Sequence, residues 1–261
     1  MTDKIFTAKH YLNYQLKATN AHGIHSPFVF KLYNEVINSE KYFYAFDDIE
    51  DLRMDLLVSS KVIEVKDFGA GSKVFKSNQR SVSKMAKYAL SDEKTGQMLF
   101  RLIEFLKPET IFELGTSLGI NTLYLAKAWT QGKVTTFEGC PETLKIAQQN
   151  FEKLKANIHT VEGNIDETLP EELKKHDKVD FVFFDANHRK SATLKYFHAC
   201  LEKVDENTVF VFDDIYWTKD MGEAWDEIKN HHEVMLSIDL FDLGLVFFRK
   251  NQPKQHFLLR F

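Results

Sequence analysis

Cysteine is scarce in this chain. Its 261 residues include two, Cys140 and Cys200. They form no Cys-x-x-Cys pair and allow no disulfide framework, so a reducing, cytoplasmic setting is the expectation. Long apolar runs are missing as well. The strongest, Val209 to Phe212, falls far short of the ~18 residues that span a bilayer. Met1 to His10 lack the apolar core of a signal peptide. No charge of one sign dominates: 34 Lys and Arg stand against 38 Asp and Glu, a net of −4. That balance leaves no electrostatic footprint for nucleic acid or an anionic membrane. No repeat, low-complexity segment or linker interrupts the chain. What is present suits a globular protein: 44% hydrophobic and 28% charged residues, with 23 phenylalanines read as core packing. A chain of this size buries roughly 70–75% of its unfolded surface and needs no staples.

From Thr110 to Lys250 short β-branched or aromatic runs alternate with amphipathic stretches. The runs Thr110–Thr116, Lys133–Gly139, Ile158–Asn164, Val179–Ala186 and Thr208–Ile215 read as buried strands. Ile120–Thr130, Glu142–Lys155, Ser191–Lys203 and Met221–His231 read as helices, with Asp166–Lys175 a weaker one. This alternation predicts βαβ units and a parallel sheet covered on both faces. Val234–Phe241 and Gly244–Lys250 are separated only by Asp242 and Leu243, too short a gap for a helical crossover, so they predict an antiparallel hairpin. The expected fold is α/β: a Rossmann-like, seven-stranded, mostly parallel sheet with a terminal antiparallel hairpin. A mainly helical N-terminal extension is expected over residues 1–90, with helices at Lys9–Ala18, Pro27–Asn38, Ser81–Leu90 and Asp92–Leu106 and a short strand at Val62–Val65. The main domain is expected over 91–250 and a C-terminal tail over 251–261.

The first sheet strand ends in Glu113-Leu-Gly115-Thr116-Ser117-Leu-Gly119, and a helix follows at once. Glycines at such a turn let backbone approach a ligand, and the helix start offers N–H groups to an anion. The spacing is Gly-x-x-x-Gly, not the Gly-x-Gly-x-x-Gly of dinucleotide sites. The second strand ends in Glu138-Gly139, about 20 residues on, where a carboxylate accepts hydrogen bonds from ribose hydroxyls. The third ends in Glu162-Gly163-Asn164-Ile165-Asp166, where an adenine ring would rest. Asp67-Phe-Gly69-Ala-Gly71-Ser72 mimics a cofactor loop, but no helix follows directly and no acidic strand end lies at the right distance. It reads as a turn in the extension.

Asp185 ends the fourth strand; Asp213 and Asp214 end the fifth. Parallel neighbours lie about 4.8 Å apart, so these carboxylates can converge at the carboxyl edge of the sheet. Clustered carboxylates need a cation or a proton, and oxygen-only ligands favour Mg²⁺ or another hard divalent ion. The alternative is that Asp213 and Asp214 cap the next loop and Asp185 orients backbone. His188, three residues past Asp185, titrates in a range suited to a general base. His22 and His25 lack further ligands nearby and read as structural. Lys73, Lys76, Arg80, Lys84 and Lys87 read as a solvated basic face. Trp217 is a candidate for lining an acceptor pocket, and Trp225 reads as core.

Together Glu113-Leu-Gly-Thr-Ser-Leu-Gly-Ile, Thr136-Phe-Glu138-Gly, Gly163-Asn164, Phe184-Asp185-Ala-Asn-His188 and Phe212-Asp213-Asp214 resemble the metal-dependent O-methyltransferases. These are class I enzymes dependent on S-adenosyl-L-methionine (SAM), of the catechol, caffeoyl-CoA and related macrolide-sugar types. The resemblance covers roughly Ser91 to Lys250. It implies SAM held by Glu113, Gly115, Thr116, Ser117, Gly119, Glu138, Gly139, Asn164, Ile165 and Asp185. It also implies a divalent cation on Asp185, Asp213 and Asp214, with Asp185 and His188 in catalysis. The catechol and caffeoyl-CoA enzymes carry a lysine where His188 stands, and the sugar enzymes an aspartate where Asn187 stands. His22-Gly-Ile-His25-Ser-Pro-Phe resembles the opening of a bacterial subfamily. The implied partner is a small-molecule acceptor, with a homodimer allowed and no nucleic acid or membrane. A nicotinamide oxidoreductase and a non-catalytic SAM-binding protein are the rival readings.

Overall fold

The computed structural model describes residues 3–66, 77–250 and 252–261. The Asp67–Ser72 turn and the basic residues Lys73 and Lys76 lie outside the described residues. The chain groups into two compact units, Met1–Asn38 with Pro170–Phe261, and Ser39–Leu169. In chain order the elements begin with α1 (Asp3–Lys17), α2 (Pro27–Leu32) and a π-helical turn at Tyr33–Ile37. Next come α3 (Ala45–Leu57), β1 (Val62–Glu64), β2 (Gln79–Ser81), α4 (Val82–Tyr88) and α5 (Glu93–Leu106). The alternating region follows as β3 (Thr110–Leu114), α6 (Ile120–Ala128), β4 (Lys133–Glu138), α7 (Pro141–Lys153), β5 (Ile158–Glu162) and α8 (Ile165–Leu173). It continues with β6 (Phe181–Phe184), α9 (Lys190–Leu201), β7 (Val209–Phe212), α10 (Lys219–Asn230), β8 (Leu236–Asp239), β9 (Gly244–Phe247) and β10 (Gln255–Leu258). The chain is thus α/β, with mostly parallel strands, helices around them and a helical N-terminal region, as the alternation predicts.

In the unit Ser39–Leu169, β3 pairs in parallel with β4 and β4 with β5. Asp92 starts α5 because its carboxylate accepts from the Thr95 N–H at 2.8 Å, satisfying one of the orphan donors of the first turn. Lys107, in the left-handed region at φ 52°, ends it. α5 buries Leu99, Leu102 and Ile103. Sequence reasoning missed α3. Its Phe46, Ile49 and Leu52 share one core with Phe100 of α5, Tyr124 of α6 and Phe151 of α7. The segment 39–90, expected as part of an extension, therefore shares a core with α5, α6 and α7.

In the other unit the strand order is β10-β8-β9-β7-β6. β6 (Phe-Val-Phe-Phe) and β7 (Val-Phe-Val-Phe) are buried at every position and pair in parallel, as unbroken apolar strands do when both faces are covered. β8 and β9 form the expected antiparallel hairpin, and β9 also pairs antiparallel with β7. β10 adds a strand beyond the seven expected. It lies in the segment read as a tail and pairs in parallel with β8. Its Gln-His-Phe-Leu pattern is too short to register as a strand before its partner is known. α1 starts at Asp3, six residues earlier than its periodicity suggests. Among the described residues no helix is long and apolar enough to cross a membrane.

The cap on α5 yields a stability test. Asp92→Ala should lower the unfolding free energy by about 1 kcal/mol, read from urea denaturation. Asp92→Asn, which keeps an acceptor in place, should retain most of it.

Candidate functional site

The turn after β3 is built on unusual backbone. Gly115 (φ 108°), Ser117 (φ 49°) and Gly119 (φ 82°) all lie in the left-handed half of conformational space. Gly115 and Thr116 both donate to the Phe137 carbonyl at 3.1 Å, which ties the turn to the end of β4. At Gly119 two constraints coincide. A Cβ there would sit 2.4 Å from the Phe151 ring, and the residue caps α6 with positive φ. Only glycine meets both.

Glu138, at the end of β4, closes the arrangement. One carboxylate oxygen accepts from the Ser117 N–H at 2.9 Å, the other from the Cys140 N–H at 2.9 Å. Its own carbonyl accepts from Gly163 N–H at 2.9 Å, joining the end of β5. Gly163 has φ 133°. A carboxylate has about four acceptor positions, so a strand-end carboxylate of this kind is a suitable acceptor type for ligand hydroxyls. Gly139 follows, half-buried, in the bend that turns the chain into α7. Asn164 opens α8: its side-chain oxygen accepts from Asp166 N–H at 3.1 Å, and its carbonyl accepts from Glu167 and Thr168. Ile165 is buried beside it. The expected cofactor residues of this unit therefore meet at the carboxyl ends of β3, β4 and β5.

Glu113, expected as a cofactor contact, is fully buried and lies beneath the turn. The parallel register sets it opposite Thr136. Its Oε2 accepts from Thr136 at 2.6 Å and from the Thr122 hydroxyl, and Thr116 lies 2.6 Å from the Thr136 hydroxyl. Burial raises its carboxyl to about 8, against the two hydroxyl bonds that lower it. Glu113 thus supports the turn from inside. Sequence reasoning missed Thr116–Thr136–Glu113 as a chain. The available signal was two adjacent threonines, Thr135 and Thr136, buried between Val134 and Phe137.

In the unit that holds β6 and β7, Phe184 pairs with Phe212, so Asp185 and Asp213 leave neighbouring strands side by side. Asp213 donates its N–H to the Phe184 carbonyl at 3.0 Å. The Asp185 and Asp213 side chains are hydrogen-bonded to each other. Desolvation and the neighbouring Asp214 push the Asp213 carboxyl well above the usual range, and the Asp185 bond only partly offsets them. His188 bridges the group: Nε2 is 3.7 Å from Asp185 and Nδ1 is 3.8 Å from Asp214. Burial lowers its pKa below the ordinary 6.5, against the raising effect of Asp214. The Trp217 indole meets the imidazole edge-on, with centroids 5.6 Å apart. Asn187 (φ 67°), His188 (φ 38°) and Asp214 (φ 57°) are all left-handed. Asn187 donates to the Tyr196 hydroxyl at 3.3 Å, while its buried side-chain oxygen has no partner. Among the described residues no group of three or more His, Cys, Asp or Glu side chains is arranged to hold a metal. Trp225 is core, as expected, and its indole N–H donates to the buried Asp239 at 3.2 Å.

The glycine turn, the strand-end acid and the paired aspartates set the context for comparison with known proteins. Residues 112–215 match a family model described as a methyltransferase domain. Over these residues the chain is similar to that family. Its wider likenesses agree. It is 27% identical over 124 residues to a catechol O-methyltransferase of Niastella koreensis, covering 46% of this chain and 55% of that protein. It is 34% identical over 79 residues to the Homo sapiens transmembrane O-methyltransferase, covering 29% of this chain and 27% of that protein. The chain thus spans about half, or less, of the curated relatives it matches. In fold it resembles a Podospora anserina methyltransferase solved with S-adenosylhomocysteine (TM-score 0.59, 15% identity, 82% of this chain and 92% of that one). It also resembles a Bacillus cereus O-methyltransferase solved with the same molecule (TM-score 0.55, 18% identity, 80% and 92%). The matched residues take in Glu113, the glycine turn, Glu138, Asn164, Asp185, His188, Asp213 and Asp214.

Glu113 yields a pH test. Its folded pKa, about 8, lies above the ordinary 4.5. Between those values the folded state keeps a proton that the unfolded chain releases, so stability falls as pH rises through that window. Glu113→Gln should remove that slope and raise stability at pH 8 by a few kcal/mol, on the order expected for such linkage. Denaturant melts at pH 5 and pH 8 measure both effects.

Proposed function

We propose that this protein is a SAM-dependent O-methyltransferase acting on a small hydroxylated molecule, assisted by a divalent cation. The observation that carries the reading is the pair of bonds from Ser117 and Cys140 to Glu138. They hold a ribose-type acceptor at the end of β4, beside a glycine turn and inside a matched methyltransferase domain. In this reading the turn Gly115–Gly119, with Thr116 and Ser117, takes the carboxylate and amino end of SAM. Glu138 and Gly139 take the ribose, and Asn164 and Ile165 flank the adenine. Glu113 acts from below through Thr136 and Thr116. The O-methyltransferase names of the curated relatives support transfer to oxygen, and a vicinal diol such as a catechol is the first acceptor to test.

For the cation, Asp185, Asp213 and Asp214 offer oxygen alone, the donor type that a hard ion takes, although their present arrangement forms no metal-holding group among the described residues. The bond between the Asp185 and Asp213 carboxyls and the raised Asp213 pKa mark a place where anionic groups need a proton or a positive charge. A divalent ion there would supply Lewis acidity toward the acceptor hydroxyl. His188 would take the hydroxyl proton. Its lowered pKa keeps the imidazole neutral at pH 7, and Asp185 and Asp214 on either side favour the imidazolium formed on proton uptake.

Calorimetry tests the cofactor and the ion together. SAM and S-adenosylhomocysteine should bind, and Glu138→Ala should weaken both by about 1–3 kcal/mol. Chelation should stop methyl transfer, Mg²⁺ should restore it, and SAM binding should persist throughout. NADH binding without SAM binding would sink the reading. Full activity in excess chelator would leave Asp185 and Asp213 as a proton-sharing pair. SAM binding with no turnover of any acceptor would favour a binding protein.

For His188, replacement by Ala should lower kcat by roughly 10²–10⁴-fold with SAM affinity unchanged. The deficit should shrink as pH rises and the acceptor ionises unaided. In the unsubstituted enzyme activity should fall as pH drops below the lowered His188 pKa, because the protonated ring accepts nothing. Near-normal kcat in His188→Ala at pH 7 would remove it from the reaction.

A further inference from the structure

The turn that leaves β7 carries Asp213, Asp214 and Trp217, and one face of α1 grips it. The Thr7 hydroxyl lies 2.9 Å from the Tyr216 carbonyl and 3.0 Å from the Asp3 carbonyl in its own helix. The His10 imidazole stacks on the Tyr216 ring, with centroids 4.6 Å apart and planes 26° from parallel. Asp3 accepts from the Lys219 N–H at the first turn of α10, at 3.4 Å. Phe6 is buried against α10 so closely that a Cβ on Gly222 would lie 2.4 Å from its ring. Asp3, Phe6, Thr7 and His10 recur at helical spacing, so they share one face. From the opposite side the Tyr216 hydroxyl donates to the buried Asp239 at 2.6 Å. The turn is therefore fastened at both sides of Tyr216, next to the left-handed Asp214 and next to Trp217, whose indole abuts His188.

We propose that α1 is a positioning element of the reaction, in which Thr7 and His10 hold the Asp213–Trp217 turn and so set the two aspartates and the Trp217–His188 contact. The inference rests on the O-methyltransferase reading. Neither Thr7 nor His10 touches the candidate reacting groups. Thr7 acts through the Tyr216 and Trp217 carbonyls, at 2.9 and 3.5 Å, and His10 through the Tyr216 ring. The physical case is that a left-handed Asp214 is costly and persists only when its surroundings over-determine it. Its intrinsic preference does not fix the turn, so the helix that clamps the next residues must.

The test uses the full chain and reads two independent quantities. ¹⁵N-tryptophan labelling gives three indole signals, from Trp129, Trp217 and Trp225. That of Trp217 is identified by its loss in Trp217→Phe. Thr7→Val removes the hydroxyl bond, and Gly222→Ala displaces Phe6 from the other end of the same contact. Both should shift the Trp217 signal and leave Trp129 in place. Both should also lower kcat about ten- to a hundredfold, the usual consequence of small misplacement, while SAM affinity stays within about twofold. Thr7→Ser, which keeps the hydroxyl, should restore the signal and the rate. A Trp217 signal unmoved in both variants overturns the proposal, and so does a shifted signal with undiminished kcat. Methyl transfer by the unsubstituted protein is measured first. If it transfers no methyl group, the O-methyltransferase reading fails on its own, and the indole shift still decides whether α1 holds the turn.

Discussion

The Glu138 carboxylate is the constraint on which the candidate cofactor site depends. It accepts one backbone N–H from the turn after β3 and one from the residue that starts α7. A charged acceptor serving two neutral donors makes stronger bonds than backbone pairs do. It thereby sets Ser117 in a conformation that the residue would otherwise avoid. Below it the hydroxyl chain from Thr116 through Thr136 to Glu113 fixes the same turn from the buried side. The turn is held above and below by two acids with opposite situations. One is half-exposed at the end of its strand. The other is fully buried and shifted toward its protonated form.

The aspartate group obeys a different logic. Three consecutive requirements meet there: adjacent parallel strands deliver Asp185 and Asp213 side by side, left-handed residues bend the chain sharply after each strand, and His188 fills the space between two carboxylates. Each left-handed residue costs of order 1–3 kcal/mol. Asn, His and Asp tolerate that region better than most. Such strain is accepted where side-chain placement matters more than local stability. Here it sits beside a carboxyl pair that must share a proton or attract a cation.

Much of the architecture was legible along the chain. Apolar runs such as Phe181–Phe184 and Val209–Phe212 admit one reading once helices separate them, and the two-residue gap at Asp242-Leu243 forces a hairpin. The glycine turn and Glu138 were legible because their roles depend on spacing. α3 and β10 were not legible. The first is amphipathic only against a core made by α5, α6 and α7, and the second is four residues long and is a strand only because β8 offers it an edge. The surroundings of Glu113 were not legible for a similar reason: its buried carboxylate is met by Thr122 and Thr136, which lie nine and 23 residues away.

The sequence by itself determined the alternation of strands and helices from β3 to β9, the hairpin, the glycine turn and the residue types at each strand end. These follow from periodicity and from backbone freedom, which are local properties. Only the tertiary structure decided which acid faces outward and which is buried, that Asp185 and Asp213 bond to each other, and that α1 folds onto the turn after β7. Those outcomes depend on register between strands and on contacts between residues far apart in the chain, such as Thr7 and Tyr216, 209 residues apart. No local pattern encodes a distance of that kind, because it is set by the packing of the whole unit.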